Sequence, residues 1–157
     1  MAKGEEQKAT EDETKSTADK VELKDELVIT EHEVTVNGQM LQYSVTTGTL
    51  VMKEEDGKAK ASIFFIAYTK SGVNDISQRP LTISFNGGPG SSSVWLHLGL
   101  LGPRRVLSGD VDTLQRPPYR LVDNEHTLLT ETDLVFIDPV STGYSRAAEK
   151  DKAKEFH

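Results

Sequence analysis

A glycine loop between a short strand and a short helix constrains the fold of this chain more than any other feature. The β-rich run Leu81–Phe85 ends abruptly in Asn86-Gly87-Gly88-Pro89-Gly90, and the apolar segment Val94–Leu101 follows. Ser91-Ser92-Ser93 offers hydroxyl groups of the kind that cap the first turn of a helix. A strand that turns through glycines into a helix is typical of an α/β sheet, and the turn then lies at the carboxyl edge, where ligands bind.

The loop has the composition of an anion-binding turn. Successive glycines allow backbone N–H groups to face a ligand without an intervening Cβ, and Pro89 stiffens the turn. Such donors suit a phosphate, a carboxylate or a developing oxyanion. A P-loop would need a lysine after the glycines and a dinucleotide loop would need Gly-x-Gly-x-x-Gly, and the sequence has neither. A tight strand-to-helix turn without a ligand is the alternative.

The strands before this loop predict an antiparallel entry sheet. Leu27–Val36 and Met40–Thr47 are alternating apolar runs, and Asn37-Gly38 between them is a strong hairpin signal. A third run, Gly48–Lys53, is expected to continue the meander. Ala61–Thr69 is apolar on both faces, which favours a buried strand.

Composition excludes several function classes. The formal net charge of −7 and the lack of a basic stripe argue against nucleic-acid binding. Without cysteine there is no disulfide, thiolate nucleophile or Cys-based zinc site. No apolar run reaches membrane-spanning length, so we expect no membrane partner. The histidines stand too far apart for common metal motifs, and we expect neither a metal nor a cofactor; they are His32, His97, His126 and His157.

Residues 1–26 form a charged leader, with nine acidic and five basic residues, and we expect it to be disordered. Residues 27–157 form the predicted domain. The charged start lacks the apolar stretch of a secretory signal, so the expected location is cytoplasmic.

Three segments together resemble the serine carboxypeptidase family (peptidase family S10). Residues 86–93 resemble its Asn-Gly-Gly-Pro-Gly-Cys-Ser-Ser signature, and residues 133–145 resemble its Asp-x-Pro-x-Gly-Thr-Gly-Phe/Tyr-Ser segment, which here follows the buried-strand candidate Asp133–Ile137. Asn124 and Thr127 match the Asn-x-x-Ser/Thr approach between them. The resemblance implies an α/β fold, here the incomplete N-terminal portion of an α/β-hydrolase, in which antiparallel entry strands lead into a mainly parallel sheet.

The resemblance also implies roles for four residues. Gly88 is expected to donate its N–H to the oxyanion as the catalytic contribution of this chain. Asn86 and the Gly87 N–H are expected to bind the C-terminal carboxylate of a peptide substrate. Tyr144 is expected to line the pocket, and a buried tyrosine with a satisfied hydroxyl is the alternative.

Two positions depart from the family pattern. Ser84 replaces the usual Trp two residues before the Asn, which weakens the expectation of strict C-terminal specificity. Ser91 replaces a disulfide-bonded Cys and suggests a bacterial-type, disulfide-free branch.

The sequence contains no Gly-x-Ser-x-Gly elbow for a nucleophile. Gly143 to Ala147 imitates one but follows a turn rather than a strand, so Ser145 is not expected to be the nucleophile. Without the Ser-Asp-His triad the chain is expected to be an inactive N-terminal fragment. The strand at Leu134–Ile137 is expected to be an exposed edge.

The expected function is therefore that of a serine-type carboxypeptidase, which hydrolyses peptides from the C-terminus through an acyl-enzyme. Its partners would be peptide or protein C-termini, and the oligomeric state stays open. An esterase or acyltransferase of the same fold and a non-catalytic anion-binding module are the alternatives.

Overall fold

The computed structural model of the protein describes residues 23–87, 90–109 and 116–156. Of the predicted leader, residues 1–26, the first 22 residues lie outside the described part of the chain. Eight strands are present in the described part: β1 (Glu26–Val36), β2 (Gln39–Lys53), β3 (Ala59–Lys70), β4 (Leu81–Ser84), β5 (Arg104–Val106), β6 (Leu121–Asp123), β7 (Asp133–Ile137) and β8 (Arg146–Ala147). Helical structure is short: α1 (Val94–Leu96) continues as a π-helical turn (His97–Leu101), and 3-10 turns occupy Ile76–Gln78, Leu128–Thr130 and Lys150–Phe156.

The predicted hairpin forms the entry to the main sheet. Asn37 and Gly38 both adopt positive φ, at 50° and 78°, and β1 pairs with β2 in antiparallel register on either side of them. The run Gly48–Lys53 is not a separate strand, because β2 continues through Gly48 without a turn. A Cβ on Gly48 would overlap the backbone carbonyl of Glu26, so glycine is what allows β1 to pair with β2 as far as Thr49.

The strand order of the main sheet is β1-β2-β3-β7-β4, and β8 adds a short pairing to β3. β7 runs antiparallel to β3 and parallel to β4. The predicted strand Asp133–Ile137 is confirmed to the residue, but the expectation that it forms an exposed edge is wrong. β7 lies between β3 and β4, and β4 is the outer strand of the described sheet.

One face of the sheet carries the core. Cross-strand partners share a face, and Leu134 and Phe136 of β7 lie on the same face as Tyr68 and Ile66 of β3. Leu129, from the turn before β7, completes this buried cluster, and Leu96 and Leu101 of the short helix pack against it. The other face leaves large apolar side chains exposed, among them Leu27, Ile29, Leu50 and Ile83.

The Asn-x-x-Thr segment caps the end of the short helix. The side-chain amide of Asn124, 1% exposed, donates to the backbone oxygens of Leu100 and Gly102, both at 2.8 Å. The Thr127 hydroxyl donates to the oxygen of Leu101, also at 2.8 Å. Three successive carbonyls at a helix end are thereby satisfied, and this gives the segment a structural role that the sequence pattern alone did not reveal.

His97 is held neutral inside the core. Its ring lies between Phe136 and Tyr68, with centroids 4.9 and 5.4 Å away, and its Nε2 hydrogen-bonds the Tyr68 hydroxyl. Burial lowers the pKa of His97 to about 4, against the opposing effect of the Asp138 carboxylate. Burial raises the pKa of Tyr68, so its hydroxyl keeps its proton in this pair.

Stability should therefore fall as the pH falls from about 6.5 toward 4. In this window the unfolded chain binds a proton at His97 that the native chain does not, so the free energy of unfolding is highest above it. The His97 contribution should fall by about 2 kcal/mol between pH 7 and pH 5. Urea unfolding of wild type and His97→Gln at both pH values measures it, and the exposed His126→Gln is the control. An equal loss in wild type and His97→Gln would contradict the assignment.

Candidate active site

Two strand ends bring the two motif segments to one edge of the sheet. β4 and β7 are parallel, so the residues that follow them lie at the same edge. Asn86 and Gly87 follow β4, and Asp138 follows β7 directly. The predicted oxyanion donor Gly88 lies outside the described residues.

The Asn86 side chain points to a place where the protein provides no hydrogen bond. Its Oδ1 atom is buried, and within the described part of the chain it has no hydrogen-bond partner. A Cβ built on Gly87 would meet nothing within 4 Å. The protein itself does not require glycine at position 87, and the exposed position of Gly87 leaves room for a ligand to approach the Gly87 backbone N–H.

The carboxylate of Asp138 connects the two segments. Its Oδ1 accepts the backbone N–H of Ser93 at 2.9 Å, and its Oδ2 accepts that of Tyr144 at 3.2 Å. Its backbone oxygen accepts the hydroxyl of Ser145 at 2.7 Å. This contact role is not visible in the sequence, where the only signal is an acid between a buried strand and a proline.

Tyr144 is 74% exposed, so the alternative of a buried tyrosine is wrong. Its ring packs against Phe64 of β3 at a centroid distance of 5.0 Å, and its outer part faces solvent at the edge that carries Asn86. Ser145 is fully buried, and its hydroxyl accepts from the Phe64 N–H while donating to Asp138. Both hydrogen-bonding capacities are used, so Ser145 cannot act as a nucleophile in this arrangement.

Ser93 has a role different from the helix cap that the sequence predicted. Ser93 stands at the N-cap position of α1, but its side chain makes no capping hydrogen bond. The hydroxyl donates instead to the backbone oxygen of Ile137, so it fastens the helix start to β7. Ser84 is buried on β4 opposite Phe136 of β7.

The described residues contain no group of three or more His, Asp or Glu side chains that could hold a metal ion. Among the same residues, no helix has the length and apolar character needed to cross a membrane. Among the described residues, the edge offers the Asn86 amide and the Gly87 backbone N–H beside the exposed Tyr144 ring. Such donors can hold an anionic group and can stabilise negative charge that develops next to it.

The comparisons with known proteins agree with this geometry. The model of the serine carboxypeptidase family matches residues 37–156. The pheromone-processing carboxypeptidase KEX1 of Saccharomyces cerevisiae is 36% identical over 112 residues, which are 68% of this chain and 14% of that protein. Serine carboxypeptidase-like 36 of Arabidopsis thaliana is 42% identical over 85 residues, which are 54% of this chain and 16% of that protein. The chain thus spans only about a seventh of the length of these relatives.

A solved structure has the same fold. The crystal structure of Kex1(delta)p, a prohormone-processing carboxypeptidase from Saccharomyces cerevisiae, superposes with a TM-score of 0.52 at 33% identity and covers 65% of this chain and 20% of its own. The expected incomplete α/β-hydrolase fold is thereby confirmed. The expected bacterial-type branch finds no support, since these relatives are yeast and plant proteins. By its sequence and its fold, the chain belongs to the serine carboxypeptidase family.

Proposed function

We propose that this chain supplies the carboxylate-binding and oxyanion-binding part of a serine-type carboxypeptidase site, with peptide C-termini as the substrate. The observation that supports it most is the buried Asn86 oxygen, which has no hydrogen-bond partner among the described residues, next to the open position at Gly87. A half-turn of the Asn86 amide would place its NH2 where Oδ1 now lies, and a peptide carboxylate that reached this group would accept from it and from the Gly87 N–H. Gly88 would then donate to the oxyanion of the tetrahedral intermediate.

The chemistry of hydrolysis needs groups that this sequence does not contain. An acyl-enzyme requires an activated serine with a histidine base and its acidic partner. No Gly-x-Ser-x-Gly elbow is present, and Ser145, the nearest imitation, is buried and fully hydrogen-bonded. The 157 residues are therefore expected to bind peptide carboxylates without cleaving them.

Binding of matched peptides tests the proposal. An acetylated dipeptide with a free C-terminal carboxylate should bind to the chain at least about tenfold more tightly than its amide, because hydrogen bonds to a charged group are the stronger ones. Asn86→Ala and Gly87→Ala should each remove most of this preference. The second variant is the sharper one, because a methyl at position 87 meets no protein atom and should leave stability unchanged.

Gly99→Ala is the matched control, since a Cβ there also meets nothing within 4 Å but position 99 lies in the π-helical turn. Titration calorimetry gives both dissociation constants, and thermal unfolding checks that the variants are folded. Equal affinity of wild type for acid and amide would reject the proposed site. Release of the C-terminal residue by the chain would instead reject the view that it lacks a nucleophile.

A further inference from the structure

The contacts of Asp138 go beyond packing, because one carboxylate fixes both segments of the candidate site. Its oxygens accept the N–H of Ser93, just after the glycine loop, and the N–H of Tyr144, on the turn after β7. Asp138 is 45 residues from Ser93 and 6 from Tyr144 along the chain. We propose that Asp138 is the positioning residue that sets the described residues on either side of the glycine loop, 86–87 and 90–93, relative to the Tyr144 ring, an inference that rests on the proposed function.

The turn after β7 is built closely around this carboxylate. A Cβ on Gly143 would overlap Oδ2 of Asp138, so only glycine permits the approach. The Ser145 hydroxyl closes the turn onto the Asp138 backbone oxygen, and the Arg146 guanidinium donates to the oxygens of Gly143 and Ser145, both at 2.8 Å. The backbone of Tyr144 is therefore fixed while its side chain stays exposed, which is the arrangement that a pocket wall requires.

A carboxylate suits this place better than an amide. Both donors are N–H groups, and a carboxylate can accept from both at once. An asparagine would present an NH2 group to one of the two N–H donors, and that contact would be lost. Asp138 is 8% exposed, so its charge depends on these donors for solvation, and the two segments are in turn held by the charge.

The test separates positioning from a general effect on folding. Both dissociation constants, for the carboxylate dipeptide and for its amide, are measured on the same folded population, so their ratio is independent of the folded fraction. In Asp138→Asn the ratio should fall about tenfold, to near one. Amide hydrogen exchange at Ser93 and Tyr144 should accelerate in this variant, while exchange in the β1–β2 hairpin should not change.

A second pair of variants serves if Asp138→Asn does not fold. Ser93 has φ of −70°, which proline also adopts, so Ser93→Pro keeps this φ, removes the N–H donor and displaces Oδ1 of Asp138 with its ring Cδ. Ser93→Ala removes only the hydroxyl and is its control. The ratio should fall in Ser93→Pro and stay as in wild type in Ser93→Ala.

The outcomes for the two proposals are distinguishable. Suppose that wild type prefers the carboxylate peptide and that Asp138→Asn keeps this preference. The positioning role is then overturned and the proposed function stays intact. Where Asp138→Asn does not fold, the same conclusion follows if Ser93→Pro keeps the preference. If wild type shows no preference, the proposed function fails. In that case the positioning role is judged by hydrogen exchange at the Tyr144 amide. If this exchange is no faster in Asp138→Asn than in wild type, the positioning role is overturned.

Discussion

Replacing Arg79 by methionine should lower the free energy of unfolding by about 3–5 kcal/mol, because it leaves a buried charge without its partner. The Arg79 Nε donates to Asp133 Oδ1 at 2.6 Å, and the two side chains are only 9% and 11% exposed. The guanidinium also donates to the backbone oxygens of Leu129 and Thr130, and Asp133 accepts the Lys70 N–H. One ion pair thus joins the end of β3, the entry to β4, the start of β7 and the turn before it.

An exposed ion pair in the same protein is the matched control. Arg104 Nε lies 3.2 Å from Asp123 Oδ1, but these side chains are 47% and 38% exposed. Arg104→Met should cost at most about 1 kcal/mol, because water screens such a pair and solvates either charge alone. Urea unfolding followed by circular dichroism measures both variants. Similar losses for Arg79→Met and Arg104→Met would mean that burial does not determine the strength of the first pair.

Local patterns were enough to predict several elements of this fold. Asn37-Gly38 lies between alternating runs and predicts a hairpin turn, because both residues tolerate positive φ. The structure has that turn. The strand Asp133–Ile137 is bounded by Thr132 on one side and by Asp138-Pro139 on the other, so the limits of β7 were also predictable. The strand before Asn86 and the short helix after the glycine loop were predictable for the same reason, because their signals come from residues within a few positions.

Long-range pairing was not predictable in the same way. β7 inserts between β3 and β4, although it follows β4 by some fifty residues in the sequence, and no local pattern states which strand it joins. The role of Asp138 was missed for a related reason. Its partners are backbone N–H groups of Ser93 and Tyr144, and a backbone donor leaves no mark on residue identity.

The same limit explains why the exposure of Tyr144 and the burial of Ser145 could not be read from the sequence. An exposed Tyr144 next to a fully buried Ser145 is a matter of how the turn closes on Asp138, and the sequence shows only two neighbouring polar residues. Motif resemblance pointed to the candidate site, but the division between its exposed residues and the buried residues that support them required the fold.

Substituting Gly143 by alanine should be among the most damaging single changes in the described chain. An alanine at its φ of 45° costs about 1–2 kcal/mol by itself. The added Cβ would also overlap the Asp138 carboxylate and displace it from the N–H groups of Ser93 and Tyr144. Each charged hydrogen bond so lost costs about 1.5–3 kcal/mol, and the loss of both brings the expected total to about 4–8 kcal/mol.

Gly72→Ala separates the two parts of this cost. Gly72 also has positive φ, at 72°, but a Cβ there meets nothing within 4 Å, so its substitution should cost only the backbone strain of about 1–2 kcal/mol. The free energy of unfolding of both variants, from urea titration, gives the difference. If Gly143→Ala lowers the free energy of unfolding no more than Gly72→Ala does, the turn can move away from Asp138 without loss of stability. The close packing of the carboxylate against position 143 would then not hold the segments of Ser93 and Tyr144 together. A difference of about 2 kcal/mol or more would show that the carboxylate cannot move without releasing the N–H groups it binds.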